Sequence, residues 1–172
     1  MKHKIKIRLF NEKCMPEQHG DWIDLKADLR EEGYRILSGP YILRAKKDDD
    51  RQLAFVFETI SLGVAMQLPK GYEAVINPRS SMFKNTMTLL TNSQGVIDND
   101  YNGDNDIWRA NLLEFGPAKI HDGDRICQFR IQLSQNATFW QKLKHLFYSG
   151  IKFERVITLN NKDRGGFGST GI

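Results

Sequence analysis

The C-terminal segment, residues 164–172, carries residue types that can grip an anion. It contains one guanidinium (Arg164), one aromatic ring (Phe167) and two hydroxyls (Ser169 and Thr170), and four of its nine residues are glycine. An arginine can fork onto phosphate oxygens, hydroxyls and backbone amides can donate to others, and a phenyl ring can stack on a flat base. Such a glycine-rich segment is either a plain disordered tail or a flexible flap that closes on a phosphorylated ligand.

Four other short clusters hold residue types that occur in ligand sites. They lie at residues 20–25, 77–82, 91–104 and 123–129. The second offers Arg79 and two hydroxyls to an anion, and the third holds Asp98 in a turn-like run. Each cluster is weak alone, because Arg-Ser-Ser tripeptides and Asp/Asn-rich turns are common. Their combination and their order along the chain are the informative features.

Short β runs separated by turn residues must position these clusters. Residues 4–9 alternate polar and apolar side chains, which predicts a half-buried strand. Two runs around the turn at 69–71 predict a hairpin. Further strands are predicted at 34–43, 52–57, 88–91, 107–113, 125–133 and 153–158, with a charged hairpin tip at 46–51. Many short strands with Gly, Pro, Asn and Asp turns predict an all-β sandwich or barrel.

Residues 139–147 depart from the β pattern and predict one short helix. The apolar residues fall at spacings that place them on one helical face; they are Phe139, Trp140, Leu143, Leu146 and Phe147. Asn136 is predicted to cap the start and Gly150 the end, and His145 is predicted to lie on the polar face. The helix either packs on the sheets or presents its apolar face to another subunit or a protein partner.

Bulk properties limit the classes of function. The 172 residues fit one domain, and a formal net charge of +4 suits a small polyanionic ligand rather than stable nucleic-acid binding. Cys14 and Cys127 form no CxxC pattern, and the four histidines form no metal motif, which predicts a reduced cytoplasmic protein. We expect neither a signal peptide nor a membrane segment, because no apolar run is long enough.

Taken together, the five clusters resemble the five motifs of the trimeric dUTP nucleotidohydrolases (dUTPases). The resemblance covers about residues 20–172 and is most specific at 91–104 and at the C-terminal segment. Gly-Asp-Trp-Ile-Asp-Leu, Pro-Arg-Ser-Ser and Gly-Asp-Asn-Asp-Ile-Trp look like the Bacillus and phage branch of that family. The resemblance implies a single domain of distorted jelly-roll (β-clip) fold, in a homotrimer with an exchanged C-terminal arm. It also implies an insert at about 134–150 and a flexible tail at about 160–172.

The resemblance implies hydrolysis of dUTP to dUMP and pyrophosphate, with Mg²⁺ as cofactor and host cytoplasm as location if the gene is viral. Asp98 matches the general base that takes a proton from the water attacking the α-phosphate. Asn92 matches the amide that reads uracil and rejects cytosine, within a hairpin whose backbone at Gly95 and Ile97 also contacts the base. Tyr101 matches the ring that packs under deoxyribose and excludes a 2′-hydroxyl.

The remaining matches concern the triphosphate. Arg79 and Ser80 match the phosphate-binding pair, and Ser81 stands where most members have glycine, which implies a backbone contact only. Gln128 matches another phosphate contact, and Arg125 is expected to orient other groups. Asp24 matches a carboxylate near metal-bound waters. In the C-terminal segment, the residues matched to γ-phosphate or uracil contacts are Arg164, Phe167, Gly168, Ser169 and Thr170.

Three alternatives accompany these matches: another aromatic contact with the base, a different enzyme activity and a protein-binding function. The fifth motif is short, because the run from Arg164 to Phe167 lacks residues that most members have, so Trp108 is a second candidate for an aromatic contact with the base. The related dCTP deaminases typically have Ile-Asp-Pro-Gly-Phe where this chain has Ile97-Asp98-Asn99-Asp100-Tyr101, which disfavours deamination. A regulatory protein partner bound through the 134–150 insert is the alternative outside enzymology.

Overall fold

The computed structural model describes residues 1–44 and 51–165, which form fifteen strands and three short helical segments. The strands are β1 His3–Leu9, β2 Glu17–His19, β3 Trp22–Lys26, β4 Tyr34–Leu37, β5 Tyr41–Arg44, β6 Arg51–Ala54, β7 Phe57–Ser61, β8 Val64–Gln67, β9 Tyr72–Pro78, β10 Thr88–Leu90, β11 Gly95–Ile97, β12 Arg109–Glu114, β13 Ala118–His121, β14 Arg125–Leu133 and β15 Ile151–Arg155. The helical segments are a 3₁₀ turn at Glu12–Cys14, α1 Met82–Thr86 and α2 Phe139–His145. The all-β prediction is confirmed.

One five-stranded sheet, in the order β11-β9-β14-β3-β2, carries most of the candidate site residues. The other sheets have the orders β15-β1-β8, β10-β12-β7, β13-β4 and β5-β6. The five-stranded sheet and the sheets β15-β1-β8, β10-β12-β7 and β13-β4 contribute side chains to one apolar core, whose largest buried side chains include Ile5, Ile7, Leu25, Met66, Trp108, Leu112 and Phe129. The alternation in β1 explains its place: Ile5 and Ile7 enter the core while Lys4 and Lys6 face out.

Several predicted strands have different bounds in the structure; the run predicted at 52–57, for example, divides into β6 and the start of β7. The run predicted at 34–43 is interrupted, because Gly39 adopts a φ of +77° and its backbone packs against Gly116, whose Cα would lie 2.7 Å from an added Cβ. The strand predicted at 153–158 is β15, which ends at Arg155, so Thr158 lies beyond it. The predicted charged tip at 46–50 lies outside the described residues, and Arg51 belongs to β6.

The predicted helix exists as α2, but its cap and its contacts differ from the prediction. Thr138, not Asn136, caps it: the Thr138 hydroxyl accepts from the Gln141 amide at 3.3 Å, and the Thr138 amide donates to Gln141 Oε1 at 2.7 Å. This reciprocal pair is a capping box. Gly150, with a φ of +73°, lies beyond the helix end and directly before β15.

α2 docks through its polar side, which is the reverse of the packed apolar helix that the sequence allowed. His145 Nδ1 lies 2.8 Å from the Tyr72 hydroxyl, and His3 stacks on Tyr148 with ring centroids 4.7 Å apart. His145 therefore lies on the polar face as predicted, and it also contacts Tyr72. The apolar side chains of this segment are exposed to solvent, namely Phe139, Trp140, Leu143, Leu146 and Phe147.

No helix in residues 1–44 and 51–165 is long and apolar enough to cross a membrane.

Candidate active site

The register of the five-stranded sheet aligns residues from three of the sequence clusters in one row. Gln128 on β14 lies opposite Asn77 on β9 and opposite Asp24 on β3. Directly opposed residues of neighbouring strands share a face of the sheet. The strand pairing therefore brings the first, second and fourth clusters together, although more than a hundred residues separate Asp24 from Gln128 in the sequence.

The carboxylate of Asp24 is the centre of this group. Its side chain is 3% exposed and pairs with Arg79 Nε at 2.8 Å through Oδ1. Arg125 Nη1 lies 3.4 Å from Oδ2, and it also lies 3.3 Å from His19 Nε2. A buried carboxylate needs such partners. The contacts fix the direction of the Arg79 side chain and support the expectation that Arg125 orients other groups.

The residues around this carboxylate form a patch that suits phosphate. We call Asp24, Arg79, Ser80, Ser81 and Gln128 the phosphate patch. Gln128 Nε2 donates to the carbonyl of Pro78 at 3.0 Å, and this hydrogen bond does not use the amide oxygen Oε1. Ser81 is the N-cap residue of α1 but makes no side-chain cap hydrogen bond, and Ser80 is exposed. The patch thus presents hydroxyls and amides beside a positioned guanidinium.

A second patch surrounds β11. Gly95 pairs with Ile76 of β9, and a Cβ added at Gly95 would lie 3.3 Å from Asn92 Nδ2 and 3.4 Å from Ile76 Cβ. The Asn92 amide therefore lies against the glycine backbone. Ile97 packs partly against the core. A turn with Ser93 at a φ of +55° joins Asn92 to β11. We call Asn92, Gly95, Ile97, Asp98 and Tyr101 the base patch.

The turn after β11 is held on both sides. The Tyr101 amide donates to the carbonyl of Asp98 at 3.1 Å, and the Tyr101 hydroxyl donates to the carbonyl of Ile107 at 3.0 Å. Burial, followed by the nearby Asp106 charge, raises the pKa of Tyr101, so its hydroxyl remains protonated. Asn99 Nδ2 donates to the carbonyls of Pro69 and Tyr72 at 2.8 and 2.9 Å. These bonds fix where the Asp98 side chain begins.

Asp98 meets a residue from the far end of the chain. Its carboxylate is 53% exposed, and Arg164 Nη1 lies 2.6 Å from its Oδ2. The same Nη1 lies 2.7 Å from Asp100 Oδ1. The hydrogen bond to Asp98 is the main cause that raises the pKa of Arg164. The structure thus brings the third cluster and the start of the fifth together, at an exposed carboxylate with access to water.

Asp98 and Arg79 lie far apart within one chain. Ile97 pairs with Ala74 near the start of β9, whereas Arg79 follows the end of that strand. Asp98 and Arg79 are thus separated along β9 by about six residues, or roughly 20 Å at about 3.3 Å per residue. A single triphosphate is much shorter. Gln94 Nε2 donates to Asn77 Oδ1 at 3.1 Å, so the two patches adjoin near the end of β9, but Asp98 lies far from Arg79 within one chain.

The aromatic candidates have different outcomes. Trp108 is fully buried and packs edge-on against Phe129 at a centroid distance of 5.1 Å. The alternative that Trp108 contacts the base is therefore wrong, because its ring belongs to the core. Phe167 lies outside the described residues, as do Gly168, Ser169 and Thr170, and their expected contacts stay predictions.

Sequence reasoning missed the residues that hold the chain end against the site. Asp104 and Asp106 bind backbone amides of 158–165, and Asn105 bonds to Asp163. The run 104–106 reads as an ordinary acidic turn, because nothing local shows which distant amides it binds. The available signal was the run 103–108, which belongs to the family resemblance but does not show which backbone groups it contacts.

The described residues contain no group of three or more His, Cys, Asp or Glu side chains that could hold a metal ion. Asp24 is engaged by Arg79 through Oδ1, and its Oδ2 has only longer contacts, at 3.4 Å to Arg125 and 3.7 Å to His19. Such a carboxylate suits a contact with a metal-bound water better than direct ligation.

Comparison with known proteins points to one family. The dUTPase family model matches residues 43–171. The SPbeta prophage-derived deoxyuridine 5'-triphosphate nucleotidohydrolase of Bacillus subtilis is 41% identical over 171 residues, covering 98% of each chain. Among solved structures, the dUTPase from Streptococcus mutans has a TM-score of 0.57 at 22% identity, over 74% of this chain and 94% of that one.

A mutant dUTPase from phage phi11 of Staphylococcus aureus, described with a coordinated structural Mg(II) ion, has a TM-score of 0.56 at 17% identity. It is matched over 78% of this chain and 94% of that one. These likenesses confirm the predicted jelly-roll fold and the predicted resemblance to the Bacillus and phage branch. The chain therefore belongs to the dUTPase family.

Proposed function

We propose that this dUTPase cleaves dUTP to dUMP and pyrophosphate by attack of water on the α-phosphorus, with Asp98 as the general base. The observation that carries the proposal is the exposed Asp98 carboxylate, held by a fixed turn and contacted by Arg164 at 2.6 Å. An exposed carboxylate can take the proton of a water as that water attacks phosphorus. The reaction removes dUTP from the DNA precursor pool and supplies dUMP.

The base patch is suited to selecting the nucleoside. A Cβ built at Gly95 would lie 3.3 Å from Asn92 Nδ2. The Asn92 amide and the backbone of β11 can therefore contact the same edge of a base. An amide donor satisfied by a carbonyl at position 4 of uracil is left unpaired by the amino group of cytosine, which disfavours that base. The half-buried ring of Tyr101 is fixed by its bond to Ile107 and leaves the sugar little room for a 2′-hydroxyl.

The phosphate patch and the C-terminal segment are suited to the triphosphate. Arg79 is oriented by Asp24, with Ser80, the Ser81 backbone and Gln128 beside it. Guanidinium groups stabilise the charge that builds on phosphate oxygens during the attack. Arg164 would exchange its carboxylate partners for the γ-phosphate, with Gly168, Ser169 and Thr170 donating to it. Phe167 would stack over uracil.

Magnesium fits this site only through the substrate. With no cluster of three ligands in the described part of the chain, and with Asp24 already paired to Arg79, the protein offers one carboxylate that suits a metal-bound water. Mg²⁺ prefers oxygen ligands and keeps several waters, so a triphosphate can hold most of it. When bound, the ion would neutralise charge on the phosphates.

The separation of Asp98 from Arg79 favours a site shared between subunits. A nucleotide whose α-phosphate lies at Asp98 cannot also reach Arg79 of the same chain, roughly 20 Å away along β9. A homotrimer solves this geometry if each site takes its base patch from one chain and its phosphate patch from another. In such an assembly the C-terminal arm can also be exchanged. We place the enzyme in the cytoplasm, with its nucleotide substrate.

Turnover measurements test this function. We would measure pyrophosphate release with Mg²⁺ from each deoxynucleoside triphosphate and from UTP, using the unaltered protein, Asp98→Asn and Asp100→Asn. We expect turnover of dUTP alone, and a loss of about 10²–10⁴-fold in Asp98→Asn, as for removal of a general base. Asp100→Asn is the matched control, because Asp100 shares Arg164 with Asp98 but has no proposed role in proton transfer.

Two outcomes would contradict the proposal. Equal losses in the two variants would assign Asp98 to the ion pair with Arg164 rather than to proton transfer. Release of ammonia from dCTP would instead indicate a deaminase.

The exposed apolar side of the insert favours a second function. Phe139, Trp140 and Leu146 are 71%, 68% and 76% exposed, and exposed apolar clusters of this kind mark interaction sites. We infer that this face binds a protein partner, or a neighbouring subunit. Phe139→Ser with Trp140→Ser distinguishes them: loss of trimer by light scattering indicates a subunit contact, whereas an intact, active trimer leaves the face free for a partner.

A further inference from the structure

The buried carboxylate of Asp106 joins the third cluster to the start of the C-terminal segment. Its side chain accepts the backbone N–H of Gly103 at 2.8 Å, of Arg164 at 3.0 and 3.1 Å, and of Gly165 at 3.1 Å. Asp106 is 1% exposed. A carboxylate removed from water must be compensated by donors. Here backbone amides provide that compensation, and two of the three belong to residues 164–165.

Two neighbouring residues extend this attachment. Asp104 Oδ1 accepts from the Leu159 amide at 2.7 Å, and Oδ2 accepts from the Thr158 hydroxyl at 2.5 Å. Asn105 donates to both carboxylate oxygens of Asp163, from its amide and from its side chain, each at 2.8 Å. These hydrogen bonds lower the pKa of Asp104 and of Asp163. We call residues 103–106 the tail dock, since they bind the chain at several points between 158 and 165.

Gly103 provides an independent sign that the tail dock and the chain end fit closely. A Cβ added at Gly103 would lie 2.5 Å from Asp163 Cα and 2.7 Å from its backbone nitrogen. Real side chains do not approach backbone atoms so closely, so only glycine leaves room at this position. The backbone of 163–165 therefore rests directly on the backbone of the tail dock.

We propose that Asp106 is a positioning residue for Arg164 in the proposed reaction, on which this inference rests. Because Asp106 binds the Arg164 amide, it fixes where the Arg164 side chain begins, within reach of Asp98 and Asp100. The guanidinium then exchanges these carboxylates for phosphate by rotating its side chain, while its backbone stays in place. Anchoring residues 164 and 165 in advance reduces the conformational entropy lost when the nucleotide is gripped.

A double-mutant cycle tests this role through activity. We would measure kcat/KM for dUTP in Asp106→Asn, Arg164→Ala and the double variant. If Asp106 acts through Arg164, Asp106→Asn lowers kcat/KM by about tenfold, and the double variant loses no more than Arg164→Ala alone. A loss of kcat/KM in the double variant equal to the product of the two single losses would overturn the proposal. Full activity of Asp106→Asn would also overturn it. Gly103→Ala, which acts on the tail dock by steric conflict, should reproduce the loss.

Asp122→Asn serves as the matched control for a merely structural effect. Asp122 is another largely buried carboxylate, which accepts from the Leu29 amide at 3.0 Å and from Asn11 at 2.7 Å, and these partners belong to neither patch. We expect both this variant and Asp106→Asn to have a lower melting temperature, but we expect Asp122→Asn to keep kcat/KM within about twofold.

Hydrogen exchange without nucleotide tests the anchoring independently of catalysis. The amides of Arg164 and Gly165 should lose protection in Asp106→Asn and keep it in Arg164→Ala. Unchanged protection in Asp106→Asn would overturn the proposal even if dUTP is hydrolysed as proposed. The unaltered protein could fail to hydrolyse dUTP while Asp106→Asn still loses protection at Arg164 and Gly165. That result would overturn the proposed reaction and the catalytic part of this inference, and would leave the anchoring demonstrated.

Discussion

At the scale of single residues, Asp24 illustrates how a buried charge can organise a binding surface. Its carboxylate binds Arg79 through one oxygen and lies near Arg125 and His19 through the other. Two guanidiniums beside one buried carboxylate form a locally cationic surface whose geometry is set before any ligand arrives. Pre-organised charge of this kind can stabilise phosphate without further rearrangement.

Replacement of Asp24 by Asn should therefore weaken nucleotide binding as well as stability. Breaking a buried ion pair from one side costs about 3–5 kcal/mol, and Arg79 would lose its 2.8 Å partner. We expect a lower melting temperature and a KM for dUTP raised by about tenfold. Calorimetry and steady-state kinetics check this, with Asp122→Asn as the control for stability loss alone. A KM equal to that of the unaltered enzyme would contradict the positioning of Arg79 by Asp24.

The two aromatic candidates for the base contact should respond differently to substitution. Trp108→Phe should lower the melting temperature, because it leaves a cavity in the core beside Phe129. It should leave KM nearly unchanged. Phe167→Ala should raise the KM for dUTP with little change in melting temperature. Thermal unfolding and kinetics on both variants check this, and the reverse pattern would show that the base is not stacked by Phe167.

At the scale of elements, α2 is attached by an aromatic cluster rather than by its apolar face. His3 lies between Tyr72 and Tyr148, with ring centroids 4.5 and 4.7 Å away, and His145 bonds to the Tyr72 hydroxyl. The Met1 amino group also donates to the carbonyl of Phe147. The N-terminus and the segment around α2 thus stabilise each other, although they lie far apart in the sequence.

Acidification should loosen this attachment. Burial, then the charges of His145 and the N-terminus, lower the pKa of His3 from 6.5. The unfolded chain therefore takes up a proton at a higher pH than the folded chain, so stability is fully present above pH 6.5 and decreases as pH falls through the lowered pKa. We expect faster hydrogen exchange at 139–148 at pH 5.5 than at pH 7.5, after correction for the intrinsic rate. In His3→Gln this pH dependence should disappear; its persistence would assign the effect to another group.

At the scale of the whole molecule, the separation between Asp98 and Arg79 determines how many chains make one site. Within one chain, these two side chains lie roughly 20 Å apart along β9. In the same chain, Arg164 contacts Asp98 directly. A shared site takes its phosphate patch from a different subunit. Whether the C-terminal arm is also exchanged between subunits is tested separately.

Mixing two inactive variants tests the shared site. Asp98→Asn and Arg79→Ala chains, unfolded and refolded together in equal amounts, should recover about a quarter of the unaltered activity, because a quarter of randomly mixed sites combine an intact Asp98 with an intact Arg79. Each variant refolded alone is the control. No recovery would mean that both residues act from one chain. Refolding Arg164→Ala and Asp98→Asn chains together in the same way tests whether Arg164 acts with the Asp98 of its own chain or of a neighbouring chain.

The sequence by itself determined the family and the candidate residues. Alternation in β1 and the turn residues indicated an all-β chain, and the five ordered clusters indicated a dUTPase. Both inferences depend only on residue types and their local spacing, which the sequence contains. The structure brings Asp24 to Arg79 and Gln128, and Asp98 to Arg164. The roles proposed for these residues remain predictions.

Only the tertiary structure decided which distant groups meet. It placed the Trp108 ring in the core, turned the polar side of α2 toward Tyr72, and set the Arg164 and Gly165 amides on Asp106. A helix pattern shows which residues share a face but not which face is covered, and an acidic turn does not reveal which amides it will bind. Those outcomes depend on packing between segments far apart in the sequence, which local residue patterns do not encode.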